Sequence, residues 1–182
     1  NDEPQPVNFR VIDDERLLYV PPYQVESGSV SLELLPPGPA AIVSIRPAFL
    51  YDGPDGHLAD AFGAELSGML ETLALRSGQT VESIRRCTIA MYPGRDAKIE
   101  TSLVIEVNQP IALETLLENL QVSAARTADG QTIFAGDSAE TDAYYFVPAE
   151  LESKLVSRFA VGSIARINEV AEADGSEILL SR

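Results

Sequence analysis

The order of patterned segments between Pro39 and Arg126 is the feature that most constrains how this chain folds. Apolar periodicity there predicts a strand, a helix, two strands, a second helix and a further strand. This order is typical of a split β-α-β unit, in which both helices cover one face of a mainly antiparallel sheet. We therefore expect an α+β fold with a ferredoxin-like sandwich core over residues 39–136.

The strands of this core differ in pattern. The continuous apolar run at residues 41–45 is typical of a strand buried on both faces. Residues 86–92 and 99–107 alternate between apolar and polar side chains, which predicts two strands with unlike faces. Residues 121–126 and 131–134 bracket an Ala-Asp-Gly turn signal, and this arrangement predicts a hairpin.

Two helices are expected between these strands. Apolar residues at helical spacing over 58–73 predict a long amphipathic helix. Pro110 is suited to the first position of a second helix, in which four leucines share one face. A single helical turn is predicted over residues 81–85, with Thr80 as its cap.

Two segments flank the core. Residues 1–38 hold short strand-like runs punctuated by Pro-Pro pairs, which predict an extended arm along a sheet or, alternatively, a stalk. Residues 137–182 predict a β-α-β-β extension, either an incomplete second repeat or a continuation of the first sheet. Its expected elements are a strand at 143–147, a helix at 148–158, and strands at 160–170 and 176–180.

The charge balance excludes some classes of partner. The 182 residues include 28 acidic and 13 basic side chains, for a net charge of −15. Nucleic acids and anionic membranes require a basic surface, so neither is an expected partner. No apolar run reaches the roughly 18 residues of a membrane span.

The polar first six residues resemble a spacer after a cleaved signal or anchor. This favours an exported protein, periplasmic or in the cell envelope, over a cytoplasmic one.

Side chains that commonly carry catalysis are scarce. Cys87 is the only cysteine, and its place in an apolar strand pattern predicts a buried core residue. His57 is the only histidine and lies in a Gly/Asp-rich loop. The chain also lacks the common nucleotide-binding, nucleophile-elbow and zinc-protease motifs. We therefore expect neither an enzyme nor a cofactor; a hydrolase that uses carboxylates or His57 is the alternative.

Two groups of acidic residues are candidates for a calcium site, since Ca²⁺ binds oxygen ligands. They occupy turn-rich segments and do not match the twelve-residue calcium loop. Ordinary turn and capping roles explain the same residues more simply. The candidates are Asp52, Asp55, Asp137, Glu140 and Asp142.

The sheet face opposite the two helices is the other candidate site. Alternation along the two long strands places a mixed polar and apolar set of side chains on it. One interpretation is a binding surface for a protein partner or a second copy, and the other is a face covered by the chain's own arm and tail. The candidate interface residues are Arg86, Thr88, Tyr92, Glu100, Ser102, Val104 and Glu106.

Three segments carry a family resemblance: Ala41-Ile42-Val43-Ser44-Ile45-Arg46-Pro47, Val81-Glu82-Ser83-Ile84-Arg85-Arg86 and Cys87-Thr88-Ile89-Ala90-Met91. Over about residues 38–160 the chain resembles uncharacterised exported proteins of planctomycete-type bacteria. The shared motifs are apolar strands and turns, so the resemblance implies export but no catalytic residue and no particular function.

Together these observations favour a non-enzymatic, exported module for protein binding or assembly. A domain that binds a small molecule or Ca²⁺ is the first alternative, and the hydrolase is the second.

Overall fold

One antiparallel sheet of seven strands organises the described part of the molecule. The computed structural model describes residues 30–48, 64–94, 98–127, 130–136, 143–148 and 154–176. Within them the strand order is β1-β2-β3-β7-β6-β5-β4, and every neighbouring pair is antiparallel. The strands are β1 (Ala41–Ile45), β2 (Ile84–Pro93), β3 (Ile99–Ala112), β4 (Val122–Arg126), β5 (Thr132–Gly136), β6 (Tyr144–Phe146) and β7 (Leu155–Gly162).

Three α-helices in the described residues pack on the two faces of this sheet. They are α1 (Ala64–Arg76), α2 (Leu113–Leu120) and α3 (Ile164–Glu172), and a single 3₁₀ turn (Val81–Ser83) precedes β2. Across the described part of the chain, every helix is too short or too polar to span a bilayer.

Each face of the sheet has its own apolar core. Leu70 of α1 and Leu116 of α2 are fully buried against one face, where they join Ile84 of β2. Ile167 of α3 and Leu35 are buried in the core on the other face. The sheet is therefore the middle of three layers, and both faces of its central strands are shielded from solvent over most of their length.

The predicted α+β class and the mainly antiparallel sheet are confirmed, whereas the ferredoxin-like order is not. In a split β-α-β unit the first helix connects parallel strands that a third strand separates. Here α1 lies between β1 and β2 in the chain, and those two strands are antiparallel hydrogen-bonded neighbours. Seven strands also exceed the four of such a unit. Strand β7 pairs with both β3 and β6, so it joins the two halves of the sheet.

Three predicted elements are wrong in detail. Residues 41–45 form an edge strand that is exposed at Ala41, Val43 and Ser44, rather than a strand buried on both faces. Pro110 lies inside the long strand β3, and α2 begins three residues later, at Leu113. Residues 160–170, predicted as one strand, are divided between the end of β7 and the helix α3.

The remaining predicted elements have mixed outcomes. The hairpin β4–β5, the two strands β2 and β3, and the strand at 143–147 are confirmed. Residues 155–158, predicted as the end of a helix, belong to β7. The described end of the arm turns at Glu33 and Leu34 instead of forming a strand. Predictions for residues 1–29, 58–63, 149–153 (most of the predicted helix at 148–158) and 177–180 lie outside the described residues.

Candidate functional site

The candidate interface face is covered by the chain's own segments. Thr88, Tyr92, Ser102 and Val104 are at most 3% exposed, and Arg86 is 6% exposed. Helix α3 and residues of the 30–40 segment contribute to the same core as Tyr92 and Val104. Thr88, Tyr92, Ser102 and Val104 are therefore closed to a protein partner in this fold.

Tyr92 shows how the cover is attached. Its hydroxyl donates a hydrogen bond of 2.7 Å to the carbonyl oxygen of Pro36, which ties the 30–40 segment to β2. The Arg166 guanidinium of α3 lies over the Tyr92 ring, 4.2 Å from its centroid. Burial raises the pKa of the Tyr92 phenol above its ordinary value, so the group remains a neutral donor.

Glu100, another predicted interface residue, forms an ion pair with α3 instead. Arg166 Nε donates to Glu100 Oε2 at 3.1 Å, and Arg166 Nη1 donates to Glu169 Oε2 at 2.9 Å. Both carboxylates raise the pKa of Arg166, against the opposing effect of its own partial burial. These contacts explain why Glu100 is a structural residue of the α3 cover.

Arg86 and Glu106 lie at the other end of this face, where two irregularities interrupt the strand pairing. Arg86 pairs with Glu106 whereas Ile84 pairs with Val107, so Arg85 is an extra residue that forms a bulge in β2. On the other side of β3, residues 107–110 lie opposite Ser157 alone. Bulges of this kind redirect side chains and commonly occur beside functional sites.

A cleft of about 330 Å³ opens between these two irregularities. Its size is at the lower end of the range for small-molecule sites. Three arginines and two serines contribute most of its polar groups, and one carboxylate lies among them. The lining residues are Ser31, Arg85, Arg86, Glu106, Val107, Ser157 and Arg158.

We call this the arginine cleft. Positive and negative side chains alternate across its floor, from one strand to the next. Arg86 of β2, Glu106 of β3 and Arg158 of β7 are directly opposite one another in the strand register. Arg158 Nη1 also forms an ion pair with Glu33 and lies 3.5 Å from Ser31 Oγ. Both contacts connect β7 to the 30–40 segment, which therefore contributes one wall of the cleft.

The remaining predicted sites are the histidine, the calcium candidates and the single cysteine. His57 and the calcium candidates Asp52, Asp55, Asp137, Glu140 and Asp142 lie outside the described residues. Among the residues that are described, no group of three or more His, Cys, Asp or Glu side chains is arranged to hold a metal. Cys87 is fully buried, and burial raises the pKa of its thiol to about 12.

Sequence reasoning missed most of the arginine cleft. It selected Arg86 and Glu106 from alternation, but not Arg85, Ser157, Arg158 or Ser31. The adjacent pair Arg85-Arg86 was the available signal, since a bulge allows two consecutive residues to serve one site. Arg158 had no such signal because its place depends on the pairing of β3 with β7.

Comparisons with protein-family models, curated proteins and solved structures found no match to this chain.

Proposed function

We propose that this protein is a non-catalytic binding module that takes a small anionic ligand in the arginine cleft. The observation that carries the proposal is the gathering of Arg85, Arg86 and Arg158 around one cleft. The chain has only 13 basic residues against 28 acidic ones. Three arginines line the cleft against one lining carboxylate, Glu106, and one carboxylate paired with Arg158 at its wall, Glu33. The remaining charge is positive, on an acidic protein.

Physical chemistry favours an anion at such a place. Guanidinium groups present several donors in a fixed plane, which suits the oxygens of carboxylates and phosphates. A concave site of one charge sign concentrates field lines and attracts ions of the opposite sign. The net charge of −15 repels anions from most of the surface, so selective binding at this cleft would depend on the local arginines.

The same geometry separates this proposal from the alternatives. The candidate interface face carries the chain's own cover, which weighs against the protein-assembly interpretation there. Ca²⁺ would be repelled by the three arginines, so the cleft is not proposed as a cation site. Absence of catalysis and export from the cytoplasm remain predictions from the sequence.

Succinate is a suitable first probe because it presents two carboxylates on a small frame. We expect calorimetric titration at low ionic strength to show binding at one site. Arg158→Gln and Arg85→Gln should each weaken binding about tenfold or more, since a charge-assisted hydrogen bond contributes about 1.5–3 kcal/mol and 1.4 kcal/mol is one decade in Kd.

Arg126→Gln is the matched control. Arg126 is exposed on β4, an edge strand that does not line the cleft. Its substitution changes the net charge by the same amount as Arg158→Gln does. Its effect should be less than twofold. If wild-type protein binds neither succinate nor sulfate at millimolar concentration, or if Arg126→Gln weakens binding as much as Arg158→Gln does, the proposed function is refuted.

A further inference from the structure

We infer that the ligand of the arginine cleft binds through a carboxylate, and that this carboxylate displaces Glu33 from Arg158. Glu33 would then be an internal competitor that sets both the affinity and the chemical preference of the site. The inference rests on the proposed function, because it concerns the ligand of the same cleft.

The observed ion pair supplies the geometry. The Glu33 carboxylate pairs with Nη1 of Arg158, a guanidinium that lines the cleft. A carboxylate from the chain itself thus already occupies one of the donors that an anionic ligand would use. The side chains of Arg158 and Glu33 are 36% and 38% exposed. Ion pairs this exposed are weak, so an incoming carboxylate can exchange with Glu33 at little cost.

The backbone around Glu33 is anchored separately from its side chain. Leu34 is 2% exposed, and its N–H donates to the carbonyl oxygen of Gly175 at 3.0 Å. The Glu33 N–H donates to Ser31 Oγ at 3.3 Å. Rotation of the Glu33 side chain away from Arg158 therefore breaks neither of these backbone hydrogen bonds. Exchange requires a rotamer change and leaves the wall of the cleft in place.

The charges around Arg158 favour a carboxylate over a tetrahedral dianion. Glu106 is directly opposite both Arg86 and Arg158 in the strand register. A ligand group with one negative charge replaces the one charge of Glu33 and leaves the local balance near Glu106 unchanged. A sulfate dianion places both of its charges on one group close to Glu106, which is repulsive, whereas succinate divides its two charges between two separate carboxylates.

The test compares Glu33→Gln with Glu71→Gln by calorimetric titration of succinate and of sulfate. Glu71 is exposed on α1, on the opposite face of the sheet, and its substitution gives the same change in net charge. We expect Glu33→Gln to strengthen succinate binding about two- to fivefold, the upper part of the range for exposed ion pairs. Glu71→Gln should change it less than 1.5-fold, and wild-type protein should bind succinate more tightly than sulfate.

A measurement on wild-type protein keeps the inference testable if Glu33→Gln fails to fold. The ¹³C resonance of the Glu33 carboxylate should shift on succinate addition with the same Kd that calorimetry gives. Equal effects of Glu33→Gln and Glu71→Gln, or an unmoved Glu33 resonance at saturation, would overturn the role of Glu33. Tighter binding of sulfate would overturn the carboxylate class, and in both cases the anion site itself would stand. Failure of every protein to bind either anion would refute the proposed function and this inference with it.

Discussion

Gly175 holds the wall of the arginine cleft in place, and replacing it with alanine should destabilise the protein by more than its backbone conformation alone explains. Gly175 follows α3 with φ +67°, and its carbonyl oxygen accepts the hydrogen bond from Leu34. A Cβ at this position would lie 2.6 Å from Leu34 Cδ2 and 3.3 Å from Phe146 Cε1. Leu34 is buried, so it cannot simply swing into solvent.

The magnitude has two parts. Placing a Cβ in the left-handed region costs about 1–2 kcal/mol. Forcing extra volume into a packed core costs a further 1–3 kcal/mol or so. Gly175→Ala should therefore lower the free energy of unfolding by about 2–5 kcal/mol. Gly130→Ala is the matched control, because Gly130 also has positive φ (+84°) but no atom within 4 Å of the added Cβ. Gly130→Ala should therefore lower the free energy of unfolding only by the backbone contribution of about 1–2 kcal/mol.

Urea unfolding followed by circular dichroism measures both variants. With a slope of about 1–3 kcal/mol per molar urea, the expected difference of about 1–3 kcal/mol separates the two midpoints by roughly 1 M. The Leu34→Ala background provides a second check, because it removes the nearer of the two atoms that the new Cβ meets. There Gly175→Ala should cost less than it does in the wild-type background, and closer to the cost of Gly130→Ala. Equal costs of Gly175→Ala and Gly130→Ala in the wild-type background would refute the packing argument.

Two further substitutions test the buried thiol on one face of the sheet and the ion pairs of α3 on the other. The Cys87 thiol has its pKa raised from 9.0 to about 12 in the fold, so between those values only the unfolded chain loses the proton. Stability should therefore fall with rising pH by about 1 kcal/mol per unit, and Cys87→Ala should remove that part of the slope in urea titrations from pH 9 to 10.5. Arg166→Gln should destabilise by about 1–3 kcal/mol, because it breaks the charge-assisted bonds to Glu100 and Glu169. Glu169→Gln, which leaves the Glu100 pair intact, should cost less than half as much in the same assay.

Local elements were the predictable part of the fold. Alternation found β2 and β3, the Ala-Asp-Gly signal found the β4–β5 hairpin, and leucine spacing found α2. The helix α3 was also predictable in principle. Ile164, Ile167 and Val170 recur at three-residue spacing after a Gly-Ser break, a helical pattern that the preceding strand residues obscured.

Strand order was not predictable from these patterns, because it depends on pairings between distant segments. The apolar run at 41–45 is compatible with a central strand as well as with an edge strand packed on one side. The structure places it at the edge, beside β2. Likewise, nothing local indicates that β7 inserts between β3 and β6. Side-chain period fixes which residues share a face, but not which strand lies next to which.

The arginine cleft depends on both kinds of information, and this is why sequence reasoning reached only part of it. Alternation correctly put Arg86 and Glu106 on one face, yet it implied that this face is uniform along the strands. The structure divides the face in two: α3 and the 30–40 segment cover the end around Tyr92 and Val104, and the bulges open the other end. A bulge is a change of register between two paired strands, so it cannot be located from the sequence before the pairing is known. Strand β7 is followed directly by α3, so its position beside β3 both brings Arg158 to the cleft and leads α3 onto the expected protein-binding face. The covered face and the charged cleft are two consequences of one topological fact.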